Sequence, residues 1–322
     1  MKSTVAILLA TYNGEQFLRE QLDSLLNQTY KEWICYVHDD GSTDRTLDIL
    51  EEYAHVNKGK FVLLDYAKTR GAKNNFMSLI AYASKNVAAD YFMFCDQDDV
   101  WLNNKINLSL EKIQEEEMRS GKEKPILAFS DLYVVDAQLN IISDSFFKYG
   151  KKKLKHLDIY HLISENLAPG CCMIINKRLC KMAALYDEEE WHYIEMHDWW
   201  CILIAALCGK VTYLNDSTIQ YRQHEKNSIG AKDKSSKSHF ILRIKEHFNG
   251  QVGKELVRGM QIKNKFSFLL IKHFNDINSQ EIDFLKKLYK IRERNKFLRF
   301  IFFIKNGMCH NLHHAVLMLL YC

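Results

Sequence analysis

The chain has 322 residues, 47% of them hydrophobic and 26% charged, with 44 Lys and Arg against 40 Asp and Glu for a net charge of +4. That apolar mass suffices for a sizeable core and excludes a disordered chain, while 13 glycines and 2 prolines exclude collagen-like or proline-rich character and disfavour an all-β protein built on tight turns. Nine cysteines, odd in number and without a C-x-x-C pair, point to buried free thiols in a reducing cytosol rather than to a disulfide framework or a zinc site.

The first apolar run, Val5–Ala10, is too short for a signal peptide and lacks its cleavage site, and no run of 18 apolar residues follows anywhere that would span a membrane. Val5–Ala10, Trp33–His38, Phe61–Asp65, Tyr91–Cys95 and Ile126–Val135 are predicted as strands, and 15–27, 43–56, 74–86 and 104–120 as helices. Strand and helix in alternation imply right-handed crossovers, a mostly parallel sheet flanked by helices, and ligands at the carboxyl ends of the strands. Beyond 136 the pattern loosens. Cys171–Asn176 and Val211–Leu214 are predicted as further strands, Arg178–Leu185 and His197–Ala206 as helices.

Polar clusters fall at three of those strand ends: Thr11-Tyr12-Asn13-Gly14, Asp39-Asp40-Gly41-Ser42-Thr43-Asp44 and Asp96-Gln97-Asp98-Asp99. Three carboxylates within four residues repel one another unless a cation is present, and oxygen ligands suit Mg²⁺ or Mn²⁺; the same residues also suit a solvated turn that caps the next helix. Ser42 or Thr43 can cap a helix and Gly41 can make a turn, but neither role accounts for Asp39 and Asp40. A carboxylate there can accept the imide N–H of uracil or thymine.

Taken together, Val5–Gly14, Val37–Asp44, Asp96–Asp99 with Trp101, His197-Asp198-Trp199-Trp200 and Tyr221-Arg222-Gln223-His224 resemble the family 2 glycosyltransferases, inverting enzymes of the GT-A fold. The Asp-Gln-Asp-Asp, His-Asp-Trp-Trp and Tyr-Arg-Gln-His segments look closest to the rhamnosyltransferase-like branch that builds bacterial cell-surface polysaccharides. The resemblance implies that Thr11, Tyr12, Asn13 and Gln97 line the nucleotide site and that Asp39, with Asp40, reads the pyrimidine. It implies that Asp96 and Asp98 form a D-x-D pair on ribose and metal; His224 can ligate the metal or donate to a phosphate oxygen, although a lone histidine is more often structural. Arg70 and Arg222 would contact the diphosphate, although Arg70 also fits a solvated basic turn. Asp198 corresponds to the general base; on the residues alone it reads first as a cap for 199–206, and the family more often has Glu-Asp where this chain has His197-Asp198. Trp199 and Trp200 read as packing, Gly170 as a close approach to a sugar or a turn, and Glu188-Glu189-Glu190 as a solvated charge run.

Charge divides the chain. Residues 1–230 carry −7 and residues 231–322 carry +11, with a polar stretch at Gly230–Ser238 between them. The expected domains are therefore a catalytic unit, 1–230, with a nucleotide-binding half to residue 100 and an acceptor-side half beyond, and a basic helical region, 231–322. In the latter Phe284, Leu288, Ile291, Leu298 and Phe302 follow helical spacing beside Lys286, Lys287, Lys290, Arg294 and Lys296, and Ala315–Tyr321 adds apolar mass. Such helices suit the inner face of an anionic membrane, packing on the catalytic unit, or a homodimer surface; no nucleic-acid-binding signature accompanies the charge.

The expectation is a metal-dependent transferase moving a sugar from a UDP- or dTDP-sugar to a saccharide acceptor, lipid-linked, at the cytoplasmic side of the membrane. A catalytically silent sugar-nucleotide-binding or scaffold subunit is the alternative. A nucleotidyltransferase would want a Gly- and Lys-rich phosphate loop that Thr-Tyr-Asn-Gly-Glu does not provide.

Overall fold

The computed structural model describes residues 2–65, 68–152, 154–224, 251–277 and 279–308. β1 (Val5–Thr11), α1 (Leu18–Leu26), β2 (Trp33–Asp39), α2 (Thr46–Val56), β3 (Phe61–Leu63), α3 (Ala72–Asn86) and β4 (Tyr91–Cys95) alternate as predicted, and their strands pair in parallel in the order β3-β2-β1-β4. All seven residues of β1 are buried, as expected of a central parallel strand covered on both faces. The chain steps from β1 outward to β3 and then returns to the other side of β1 for β4. That reversal leaves a crevice beyond the carboxyl ends of β1 and β4, where residues 11–14 and 96–99 emerge.

The second half extends the sheet through β5 (Val100–Trp101), α4 (Lys105–Ser120), β6 (Ile126–Val135), β7 (Ile141–Ser143), α5 (Phe146–Tyr149), α6 (Ile159–Leu162), β8 (Met173–Asn176), α7 (Lys177–Ala183), α8 (His197–Cys208) and β9 (Lys210–Arg222). β8 lies antiparallel between β4 and β6, and β9 pairs in parallel with β6 and antiparallel with β5. β9 runs 13 residues where the sequence suggested four. Its register on β6 moves from Ser130 opposite Leu214 to Asp131 opposite Ser217, so the polar Asn215-Asp216 bulges out and hides the strand's continuation. The far end of β9 thereby delivers Arg222, and His224 just after it, to the Asp96–Asp99 loop.

Three longer helices follow: α9 (Gln251–Phe274), α10 (Gln280–Tyr289) and α11 (Lys296–Lys305). α9 packs against the preceding part of the chain, with Phe266 5.1 Å from Trp199 ring to ring and Lys272 and His273 reaching Glu190 at 2.5 and 3.0 Å. Glu190 is therefore not part of a solvated run: it is only 6% exposed. Burial raises its pKa, but its bonds to Lys272 and His273 outweigh that and hold it below the usual carboxylate range. The predicted apolar stripe is likewise turned inward at Phe284, Leu288, Ile291 and Phe302, whereas Leu298 joins an exposed apolar face with Phe297, Ile301 and Ile304. The boundary near 230, with Gly230–Ser238, and the segment Ala315–Tyr321 lie outside the described residues. Cys35, Cys95, Cys171, Cys172, Cys180, Cys201 and Cys208 are free, six of them buried.

Candidate active site

Hydrogen bonds between loops distant in sequence build the crevice. Gln97 clamps the end of β1, accepting the Tyr12 N–H at 2.8 Å and donating to the Tyr12 carbonyl at 2.9 Å. A Cβ on Gly14 would lie 2.3 Å from Gln97 Oε1, so glycine there is what lets the loops close. Asn13, at φ 47, accepts the Thr43 N–H on its side chain and donates its own N–H to Ser42 Oγ, both at 2.8 Å. Thr11 is 1% exposed and donates to Asp39 Oδ2 at 2.8 Å. The geometry thus corrects the expectation for Thr11, which is buried behind the crevice, while Asn13 is half-buried and Tyr12 is 54% exposed and free to meet a ligand.

Asp39 is partly exposed and accepts from Gly41 N, Ser42 N, Ser42 Oγ and Thr11 Oγ1, so a base reading it must share its oxygens. Asp40 faces away. Its carboxylate takes the backbone N–H groups of Thr69, Arg70 and Gly71 at 2.5 to 2.9 Å. Burial raises its pKa, and these hydrogen bonds more than reverse the effect, leaving it lowered. Asp40 is accordingly not a pyrimidine reader; it pins the turn that presents Arg70, whose side chain is exposed at φ 62.

Beyond β4, the acids crowd. Burial, then the charges of Asp98 and Asp198, push Asp96 up to about 7, and burial with Asp98 and Asp96 raises Asp99 as well. Carboxylates held together against that cost are suited to a cation. Among the described residues, single atoms of Asp96, Asp99 and Cys171 lie within 4.8 Å of one another, but Asp99 is fully buried, accepts the Arg222 N–H at 3.0 Å, and Cys171 is a soft ligand with its thiol pKa raised by burial. Asp98 fits a hard divalent ion better. Its Oδ2 lies 2.8 Å from His224 Nε2, with the two side chains 17% and 13% exposed, and Asp96 stands beside it.

Arg222 is 1% exposed, and its guanidinium donates to the carbonyls of Asp98 and Ala137 at 2.8 and 2.5 Å and to Glu20, while lying 4.4 Å over the Phe17 ring. That corrects its expected role as a diphosphate clamp: it fastens the Asp98 loop. Lys105, unmarked in the sequence because a lysine opening an amphipathic helix reads as solvated, is also fully buried, 4.5 Å over Trp101 and electrostatically coupled to Asp99.

Asp198 lies in the first turn of α8, where the helix N-terminus favours negative charge. It is not the cap, which falls at Met196. Its oxygens accept the N–H groups of Trp199 at 2.5 Å and Gly170 at 3.1 Å, and the Asn166 side chain bonds it too. Burial dominates these bonds and pushes Asp198 up to about 6. Asn166 escaped the sequence reading because nothing marks an asparagine in a loop as the neighbour of an acid 32 positions on. His197 is buried between Phe76 and Phe94, its ring stacked 3.9 Å from Phe76, and burial lowers its pKa to about 3, so it is neutral. Trp199 and Trp200 pack as expected, donating to the carbonyls of Leu162 and Ala183.

A Cβ on Gly170 would lie 2.5 Å from His197 Nε2. Gly170→Ala should therefore displace the N–H that orients Asp198, lower activity by about tenfold or more and reduce the melting temperature by several degrees. His197→Ala in the same chain should restore part of both, measured by turnover and calorimetry; no recovery would mean that the clash is not the cause.

Residues 6–120 match the family described as "Glycosyl transferase family 2". The chain is 30% identical over 239 residues to a dTDP-rhamnosyl transferase, RfbG, of Shigella flexneri, covering 69% of this chain and 74% of that one. In fold it is similar to S. aureus TarS 1-349 in complex with UDP-GlcNAc (TM-score 0.53, 17% identity, 98% of this chain and 89% of that chain). It is also similar to the mannosyltransferase PcManGT of Pyrobaculum calidifontis in complex with GDP-Man and Mn²⁺ (TM-score 0.50, 11% identity, 99% and 87%).

Proposed function

The chain belongs to glycosyl transferase family 2 and is a glycosyltransferase, and from that premise we propose that it transfers a sugar with inversion from a UDP- or dTDP-sugar, rhamnose among the candidates, to a saccharide acceptor in cell-surface polysaccharide synthesis. The observation that carries the reading is the meeting of Asp96 with Asp98 and Asp198, both close enough for their charges to act on it. On this reading Tyr12, Asp39 and Arg70, all at least partly exposed, serve the nucleotide side. Similarity to a dTDP-rhamnosyl transferase supports the donor class, and the Mn²⁺ of a fold neighbour supports the metal.

Asp198 takes the proton from the attacking acceptor hydroxyl as its oxygen bonds the anomeric carbon; the bond from that carbon to the diphosphate breaks, and the diphosphate leaves with the electron pair. Asn166, Gly170 and Trp199 hold the carboxylate in place, and Gln97 and Arg222 fix the acidic loop opposite it. A divalent ion bound by Asp96, Asp98 and His224 would supply positive charge to stabilise the departing diphosphate. Incubating the full chain with UDP- or dTDP-hexoses, Mn²⁺ and a saccharide acceptor should release nucleoside diphosphate and glycosylate the acceptor. A silent subunit would bind the donor and release nothing.

No helix among the described residues is long and apolar enough to cross a membrane. The exposed Phe297, Leu298, Ile301 and Ile304 of α11, flanked by Lys296, Arg299 and Lys305, support peripheral docking on an anionic bilayer, where a lipid-linked acceptor would lie. Phe297→Ser with Ile301→Ser should weaken co-sedimentation with phosphatidylglycerol vesicles about tenfold or more without reducing turnover of a soluble acceptor. Undiminished vesicle binding would exclude this face.

A further inference from the structure

A cavity of about 610 Å³, whose lining does not include the acidic loop, is walled by β6, α5, the loop after α5 and the bulge of β9. Asp131, Asp144, Lys148, Lys151, Lys152 and Asn215 supply its charged and amide groups. Two of these charges are already committed. Asp131 Oδ1 accepts the N–H groups of Leu132, Phe146 and Phe147, and its Oδ2 accepts the Ser145 hydroxyl at 2.5 Å. Lys152 pairs with Glu165 at 3.5 Å and donates to the Asn166 carbonyl at 2.7 Å. Among the described residues, the ammonium groups of Lys148 and Lys151 have no hydrogen-bond or ion-pair partner. Lys151 stands at φ 48, a conformation that asparagine or glycine adopts with less strain.

The cavity also adjoins the base. The same Asn166 whose carbonyl receives Lys152 bonds Asp198 through its side chain, and the Lys152 charge acts on Asp198. An acceptor with its reacting hydroxyl at Asp198 would therefore extend into this cavity. Resting on the glycosyltransferase reading, we propose that the cavity is an acceptor subsite selecting saccharides that carry a phosphate or carboxylate, with Lys148 and Lys151 as the residues that read the anion. Two free ammonium groups provide the charge-assisted bonds, while Asp144 and Asn215 remain to meet sugar hydroxyls.

The anion has two sources: the diphosphate that joins a first sugar to a lipid carrier, or an acidic sugar within the glycan. The test uses three probes of one chain length, an alkyl diphosphate-linked hexose, an alkyl hexuronoside and the neutral alkyl hexoside. Binding to the full chain is measured calorimetrically with the nucleotide site filled by UDP or dTDP and Mn²⁺, so that no turnover is required. The wild type should prefer one anionic probe over the neutral one by about tenfold or more, and Lys148→Gln with Lys151→Asn should erase the preference while leaving neutral-probe binding unchanged. Both positions are at the surface, and asparagine tolerates the backbone of Lys151, so the variant is expected to fold. Preference for the diphosphate identifies a lipid-linked first sugar, and preference for the uronoside an acidic glycan. Equal binding of all three, or a preference that survives both substitutions, overturns the proposal. Hydrolysis of the donor, in which water replaces the acceptor at the anomeric carbon and free sugar and nucleoside diphosphate are released, probes the glycosyltransferase reading separately, because it involves neither lysine.

Discussion

Asp198→Asn is expected to lower sugar transfer by about 10²–10⁴-fold while leaving donor affinity unchanged, because the amide keeps the shape of the carboxylate but cannot accept the acceptor's proton. The surroundings of Asp198 make it a base suited to neutral pH: burial in the first turn of α8 pushes it up to about 6 against the opposing bonds from Trp199, Asn166 and Gly170. The base works ionised, so wild-type kcat/KM should fall about tenfold per pH unit below 6 and level off above it, a limb missing from the Asn variant. Linkage has the opposite sign. The folded-state pKa is raised, so ionisation costs stability as pH climbs from the ordinary carboxylate range to about 6, on the order of 3 kcal/mol by the end of that window. The Asn variant carries no such charge and should melt no lower than the wild type at pH 7.5. Full turnover in the variant would show that another group is the base.

Asp98→Ala should abolish the dependence of nucleotide binding on divalent cation and reduce turnover by about a thousandfold, the equivalent of several kcal/mol of charge stabilisation at the departing diphosphate. Asp98 is the one carboxylate of its loop paired with His224, and both are partly open to solvent, whereas Asp99 is sealed beneath them. Calorimetric titration of UDP or dTDP with and without Mn²⁺ reads the effect directly. The wild type should bind more tightly with the metal, and the variant equally weakly in both conditions. A second, metal-free readout follows from electrostatics. Asp98 is one of the charges that raise Asp96, so the Asp96 pKa should drop in the variant when followed by NMR. Metal-enhanced nucleotide binding that survives Asp98→Ala would move the cation site to other ligands.

The misassignments share one cause. Asp40, Thr11 and Arg222 stand in the same motifs as Tyr12, Asp39 and Asp98, and sequence alone does not distinguish a side chain that faces a ligand from one that holds the loop behind it. Arg222 looked like a clamp because a guanidinium suits a diphosphate, but its position at the end of a long β9 places it under the Asp98 loop with its donors taken. Glu190 looked solvated because its partners Lys272 and His273 lie more than 80 residues away. Lys105 and Asn166 carried no signal at all, since their importance is only whom they touch.

What the sequence determined by itself is local and periodic. The alternation of apolar strands with amphipathic helices required a parallel sheet, and the crossover rule put the polar clusters after β1, β2 and β4 at one edge of it. Tertiary structure alone decided which oxygen atoms remain open, which acids repel one another, and that a lysine-lined cavity adjoins Asp198. Those properties depend on burial and on distances of a few ångströms between segments 30 to 200 residues apart, and neither is encoded in spacing along the chain.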